Sequence, residues 1–165
     1  MSTPPAAAPA IRADGTVLGF DVGMRRIGVA VGNALTGNAS AVAVIDVHAA
    51  GPDWAQAERL LRQWRPDGLV VGDPMTLDGG DQPIRKAARA FALELQRRSG
   101  LPVVMVDERN SSQEAARRFA AARADGRRKR RDAEVLDAVA AAVIVERWLA
   151  APQDADAVGQ AEDLI

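Results

Sequence analysis

The feature that most constrains the fold is a change of hydrophobic period part-way along the chain. Val17 to Asp21, Ile27 to Val31 and Ala41 to Val47 are short apolar or β-branched runs separated by Gly, Asn and Thr, the pattern of consecutive strands joined by turns. From Asp53 the period lengthens: Trp54, Ala57, Leu60, Leu61 and Trp64 recur at helical spacing, and the short apolar run Gly68 to Val71 follows. Ile84, Ala88, Phe91 and Leu95 then mark a second helix ahead of the strand Pro102 to Val106. Ser111 with Glu114 is a capping-box pattern opening a third helix through about Ala124, and Asp132 caps a fourth that runs to about Leu149. The order is βββαβαβαα. Strands rejoined after a helical crossover are parallel and covered on both faces. The expectation is therefore an α/β fold with a mixed five-stranded sheet, three antiparallel strands and then two parallel ones, flanked by helices.

At 165 residues the chain suits one domain with a real core. Residues 1–15, rich in Pro and Ala without a period, read as a flexible N-terminal tail; 16–150 read as the domain and 151–165 as an acidic C-terminal tail. There is no Cys, which removes disulfide frameworks, thiolate zinc sites and cysteine nucleophiles. The single His, His48, lies near Gly51-Pro52 and reads as a loop residue, so imidazole-based metal sites and Ser-His-Asp triads have almost nothing to rest on. No apolar run approaches the roughly 18 residues of a membrane span, and the N-terminus lacks a signal-peptide pattern, so the expected location is cytoplasmic, without a membrane partner.

The charge is unevenly spread. The whole chain carries -1, yet Arg117 to Arg131 holds eight basic residues against the one acid Asp125. Such a block is either a solvated face or a grip on a polyanion such as a phosphate backbone. Its densest part is Arg127, Arg128, Lys129, Arg130 and Arg131.

Three acidic positions stand where strand ends meet helix starts, the usual place for function in such sheets. Asp21 closes the run Val17-Leu18-Gly19-Phe20; a charge there needs solvent, a donor or a cation, or it simply opens the turn with Gly23. Asp107-Glu108-Arg109 closes the last strand. Side chains alternate across a strand, so Asp107 and Glu108 point to opposite faces, and periodicity does not say which joins Asp21. Asp137 is the most informative. Its helical neighbours Ala141, Ile144 and Trp148 are apolar, so the carboxylate shares the face that lies against the sheet. The helix dipole repays only about 0.3–1 kcal/mol, against several for uncompensated burial, so a cation or donors should lie near it. Carboxylates without His or Cys suit hard cations, Mg²⁺ or Mn²⁺. Two such ions about 4 Å apart activate water and stabilise the leaving oxygen in phosphodiester hydrolysis.

These residues fall into ordered blocks: Phe20-Asp21-Val22-Gly23 with Arg26-Ile27-Gly28-Val29-Ala30-Val31-Gly32, Val71-Gly72-Asp73-Pro74 with Asp78-Gly79, Asp107-Glu108-Arg109, and Leu136-Asp137-Ala138-Val139-Ala140-Ala141. From Val17 to Leu149 the chain resembles the YqgF/RuvX family. The resemblance implies a ribonuclease H-like fold and an endonuclease, a hydrolase of ester bonds, acting in the cytoplasm on structured RNA. The substrate it implies is pre-16S rRNA, whose 5′ end is matured during ribosome biogenesis within a pre-ribosomal particle. An older assignment is to DNA four-way junctions. It further implies Asp21, Glu108 and Asp137 as the metal-binding catalytic acids, which selects Glu108 over Asp107. Met24, Asp73 and Asn110 depart from the family pattern; none is a proposed ligand, though Asp73 adds a negative charge beside a loop expected near the site.

Arg25, Arg26 and Arg109 join the 127–131 block as candidate phosphate contacts, with salt bridges to acids as the plainer alternative for the first two. Trp54, Trp64 and Trp148 occupy core-like positions rather than base-stacking ones. Three functions compete. The leading one is a Mg²⁺- or Mn²⁺-dependent endonuclease on structured RNA, as monomer or homodimer. Junction cleavage would require a two-fold dimer with two sites. A non-catalytic nucleic-acid-binding module would have no use for Asp137 on an apolar face. A sugar-kinase or actin-type ATPase, suggested by Asp21-x-Gly23, needs two such domains.

Overall fold

Strand alternation on β1 (Thr16–Val22) sends Leu18, Phe20 and Val22 to one face of the sheet and Val17, Gly19 and Asp21 to the other. Everything that positions the site follows from that division. The computed structural model describes residue 11 and residues 15–74, 83–107, 132–152 and 156–157. β1 pairs antiparallel with β2 (Arg26–Asn33), and β2 with β3 (Asn38–His48). After β4 (Gly51–Pro52) and α1 (Trp54–Trp64), β5 (Gly68–Asp73) inserts parallel to β1. α2 (Pro83–Ser99) then returns the chain to β6 (Val103–Asp107), parallel to β5. α3 (Asp132–Ala150) and β7 (Asp156–Ala157) complete the described chain.

The strand order is β4-β3-β2-β1-β5-β6-β7. The five expected strands are present with the expected directions, and the count of five is corrected upward by two-residue strands at the two edges, β4 and β7. Two residues are too few to leave a periodic signal, and β7 falls in the segment expected to be an acidic tail. Ile11, in the expected N-terminal tail, packs against Gly68. His48 ends β3 rather than lying in a loop; its ring meets Asp53, whose carboxylate caps α1 by accepting from the Gln56 N–H. The helix expected from Ser111 to about Ala124 lies outside the described residues. No helix among the described residues is long and apolar enough to cross a membrane.

α1 and α2 cover one face of the sheet and α3 the other. The α1/α2 side is built from large groups, with Leu18, Phe20, Ile27, Ile45, Leu69 and Leu95 fully buried. At about 1.5–3 kcal/mol for each such side chain, most of the hydrophobic stabilisation resides there. Trp54 stacks on Phe91 at 5.1 Å between centroids, holding α1 beside α2. The α3 side is built mainly from small groups: Val17, Ala30 and Val70 on the sheet, Ala141, Ala142 and Val145 on the helix, with Ile144 and Trp148 filling the remainder. A Cβ built on Gly19 would stand 2.1 Å from Val145 Cγ2, and one on Gly32 would stand 2.3 Å from Cγ1 of the same residue. Small residues thus let α3 settle closely onto β1 and β2.

Candidate active site

Asp21 sits one residue before the end of β1, half-buried, on the face covered by α3. Its partner across the hairpin is Gly28 of β2. A Cβ on Gly28 would stand 1.9 Å from the carbonyl oxygen of Asp137, so the glycine is where the first turns of α3 rest on the sheet. This contact brings the backbone of α3 at Asp137 against the cross-strand neighbour of Asp21. Ala141, Ile144 and Trp148, further along the helix face of Asp137, are buried against the sheet as their spacing requires.

The cation anticipated for Asp137 is Arg26, whose Nε donates to Oδ2 at 2.8 Å. Both side chains are about one-third exposed, at 33% and 30%, so the pair orients more than it stabilises. Arg26 is held by the turn that precedes it. The Gly23 N–H donates to the Arg26 carbonyl at 2.9 Å, and the Val47 N–H donates to the Arg25 carbonyl at 2.9 Å, tying the turn to β3. Arg25 itself is exposed at this corner. Of the two expected phosphate contacts, Arg26 is therefore engaged by a carboxylate.

The ends of β5 and β6 carry two further acids, Asp73 and Asp107. Asp73 is 8% exposed and faces α2, where Arg85 grips it with Nε at 3.0 Å from Oδ1 and Nη2 at 3.5 Å from Oδ2. Its charge is compensated within the fold rather than added to the site, because it belongs to the α1/α2 face with Leu69 and Val71. On β6, Val103 and Met105 belong to that same face, whereas Val104 and Val106 pack on the α3 side. Alternation thus assigns Asp107 to the Asp73 side, in register with Asp73 itself. Arg147 of α3 donates from Nη1 to the Asp107 carbonyl at 3.0 Å and fastens this strand end to the helix. Glu108, Arg109 and Arg127 to Arg131 lie outside the described residues.

The carboxylate oxygens of Asp21 and Asp137 are donors of the kind a hard divalent cation prefers; among the described residues no group of three His, Cys, Asp or Glu that could hold a metal ion occurs. Three partners escaped sequence reasoning: Gly28 as the seat of α3, Arg85 as the counter-charge of Asp73, and Arg147. Gly28 lay inside a recognised block but carries no charge to draw notice. Arg85 and Arg147 are remote in sequence from their partners, and no local spacing announces them.

The chain resembles Thermus thermophilus RuvC in complex with a Holliday junction substrate, with a TM-score of 0.55 and 19% identity over 87% of this chain and 99% of that one. A second T. thermophilus RuvC structure gives 0.50 at 18% identity. The fold is thus that of the RuvC-like ribonuclease H class. Residues 15–151 match the family described as "RuvX: Holliday junction resolvase", and the chain belongs to that family. A protein of Xanthomonas axonopodis pv. citri is 72% identical over 148 residues, 90% of this chain and 96% of its own length. Relatives in Xanthomonas euvesicatoria and Xanthomonas oryzae are 71% and 70% identical over the same shares. All three are named "Putative pre-16S rRNA nuclease". The chain is a nuclease, a hydrolase of nucleic-acid ester bonds.

Proposed function

We propose that the chain is an endonuclease that trims the 5′ end of pre-16S rRNA in the cytoplasm during ribosome biogenesis. The observation that carries this reading is the seating of the Asp137 backbone against Gly28, the cross-strand partner of Asp21. A helix that needed only to cover the sheet would gain nothing from an acid there.

Asp21, Asp137 and Glu108 are the residues that would hold Mg²⁺ or Mn²⁺; the side of β6 to which alternation assigns Asp107, away from Asp21, argues against Asp107 as the third. A divalent cation so held supplies an activated water and charge stabilisation for the leaving oxygen. Arg26 keeps the Asp137 carboxylate turned toward the hairpin, and through Gly28 the backbone of α3 fixes how far that carboxylate stands from Asp21. Arg25, exposed beside the acids, and Arg109 with Arg127 to Arg131 would hold the phosphate backbone. The names of the 70–72% identical relatives support RNA as substrate. The family's own name instead mentions a DNA junction, so both substrates belong in the test.

The test is cleavage of a precursor 16S rRNA fragment and of a DNA four-way junction with Mg²⁺, Mn²⁺ or EDTA, using wild type beside Asp21→Asn and Asp137→Asn. Cation binding is measured in parallel by calorimetry. The expected result is RNA cleavage that EDTA abolishes, that falls at least about 100-fold in either variant, and that is accompanied by weakened cation binding. Cleavage of the junction alone would replace the RNA reading. Binding of RNA without cleavage under any cation would sink the nuclease mechanism.

A further inference from the structure

The two faces of the sheet differ in charge as well as in packing. α1 and α2 together carry seven basic residues and two acids, whereas α3 carries one basic residue and four acids. The chain as a whole is at -1, so the two helices of this face, at +5, are positive on a weakly negative molecule. We propose that this face is a second nucleic-acid surface, one that holds the phosphate backbone of the strand leading away from the cleavage corner. It deepens the rRNA reading above and rests on it for the identity of the substrate.

Which arginines are already engaged decides the matter. Arg85 is committed to Asp73, Arg97 to Glu94, and Arg98 to both Glu94 and Glu58. These account for both acids of the two helices. Arg59, Arg62 and Arg65 recur at every third position along and just past α1; all three are exposed, and none makes an ion pair among the described residues. The same holds for Lys86 and Arg89 on α2. Compensation of the helix C-terminal dipole accounts for a charge in the last turn, as for Arg62, Arg97 and Arg98, but not for Arg59, Lys86 or Arg89.

The placement suits a long substrate. Pro66 and Leu101, at the starts of β5 and β6, line an open recess of about 360 Å³ with Arg62, Arg65 and Arg98. This is the opposite end of the parallel strands from Asp21. A six-residue strand spans roughly 20 Å, which corresponds to about six phosphates at 3.4 Å per step along one strand. Lys86 lies in the first turn of α2 and Arg89 one turn further on, both exposed.

The test combines Arg59→Gln, Arg62→Gln, Lys86→Gln and Arg89→Gln, all at exposed positions, and measures binding over a salt series. The probes are a precursor 16S rRNA fragment and a DNA duplex of equal length. With four phosphate-holding charges removed, the slope of log affinity against log salt should flatten by about 3, and affinity at moderate salt should fall about 10- to 100-fold. The melting temperature and the binding of Mn²⁺ should be unchanged. Equal affinity and slope in variant and wild type would overturn the proposal and leave the nuclease reading intact. The same loss on DNA, with negligible affinity of wild type for RNA, would support the surface and sink the rRNA reading. A wild type that binds neither probe would overturn both.

Discussion

At the scale of single residues, the site depends on a position with no side chain. Gly28→Ala puts a methyl group 1.9 Å from the Asp137 carbonyl oxygen, and because the clash is with backbone, no side-chain rotation can relieve it. Overpacking of this kind costs about 1–3 kcal/mol. The helix must lift, carrying its carboxylate with it, so nuclease activity should fall further than the loss of stability accounts for. Urea unfolding paired with a cleavage assay under conditions where the variant stays folded would check this. Activity equal to wild type would show that the seat does not set the acid. Asp21 and Asp137 stand out in the sequence because each is a charge at a position where a charge needs a partner. What the acids touch was not legible. The Arg26 and Asp137 side chains meet across a separation of 111 residues, and Asp73 is quenched by an arginine on the next helix. Charge type predicts that a partner exists, whereas only the path of the chain says which one it is.

At the scale of elements, α2 ends in a cluster whose strength depends on pH. Hydrogen bonds from Arg97 and then Arg98 hold the Glu94 carboxyl down to about 2, well below its ordinary value. A depressed folded-state value means the contribution is complete above the ordinary carboxylate range, near pH 4.5, and is lost as pH falls toward 2. Wild type should therefore exceed Glu94→Gln in thermal stability at neutral pH, with the gap closing across that acidic window. A gap that persists at pH 2 would assign it to packing instead. The elements themselves were largely readable. Strand runs and helical spacings were found within a few residues because burial on one or both faces imposes a period on the sequence. The edge strands β4 and β7 have two residues each and impose none. His48 illustrates the same limit: nearby Gly and Pro make it look like a loop residue, yet it pairs with Gly51 at a sheet edge.

At the scale of the whole molecule, the faces divide the labour. Large side chains under α1 and α2 supply cohesion, and small ones under α3 supply close approach for the acids. The sheet nevertheless remains open, and an open sheet presents backbone donors and acceptors to any passing chain. One margin is interrupted by a bulge: β3 carries an extra residue, Val42, where its register against Val29 and Ala30 shifts. The other is covered when β7 pairs with Val104 and Met105. Removal of residues 153–165 should therefore leave the cleavage corner competent but bare the backbone of β6. The shortened chain should self-associate as concentration rises, which light scattering would register; a monodisperse product would show that β6 needs no cover. The short strand after α3 thus acts as a solubility device, keeping a highly apolar ribbon from recruiting its own copies into a continuous sheet. If two copies do pair on a two-fold axis, their contact must be sought on helices and loops rather than along that margin.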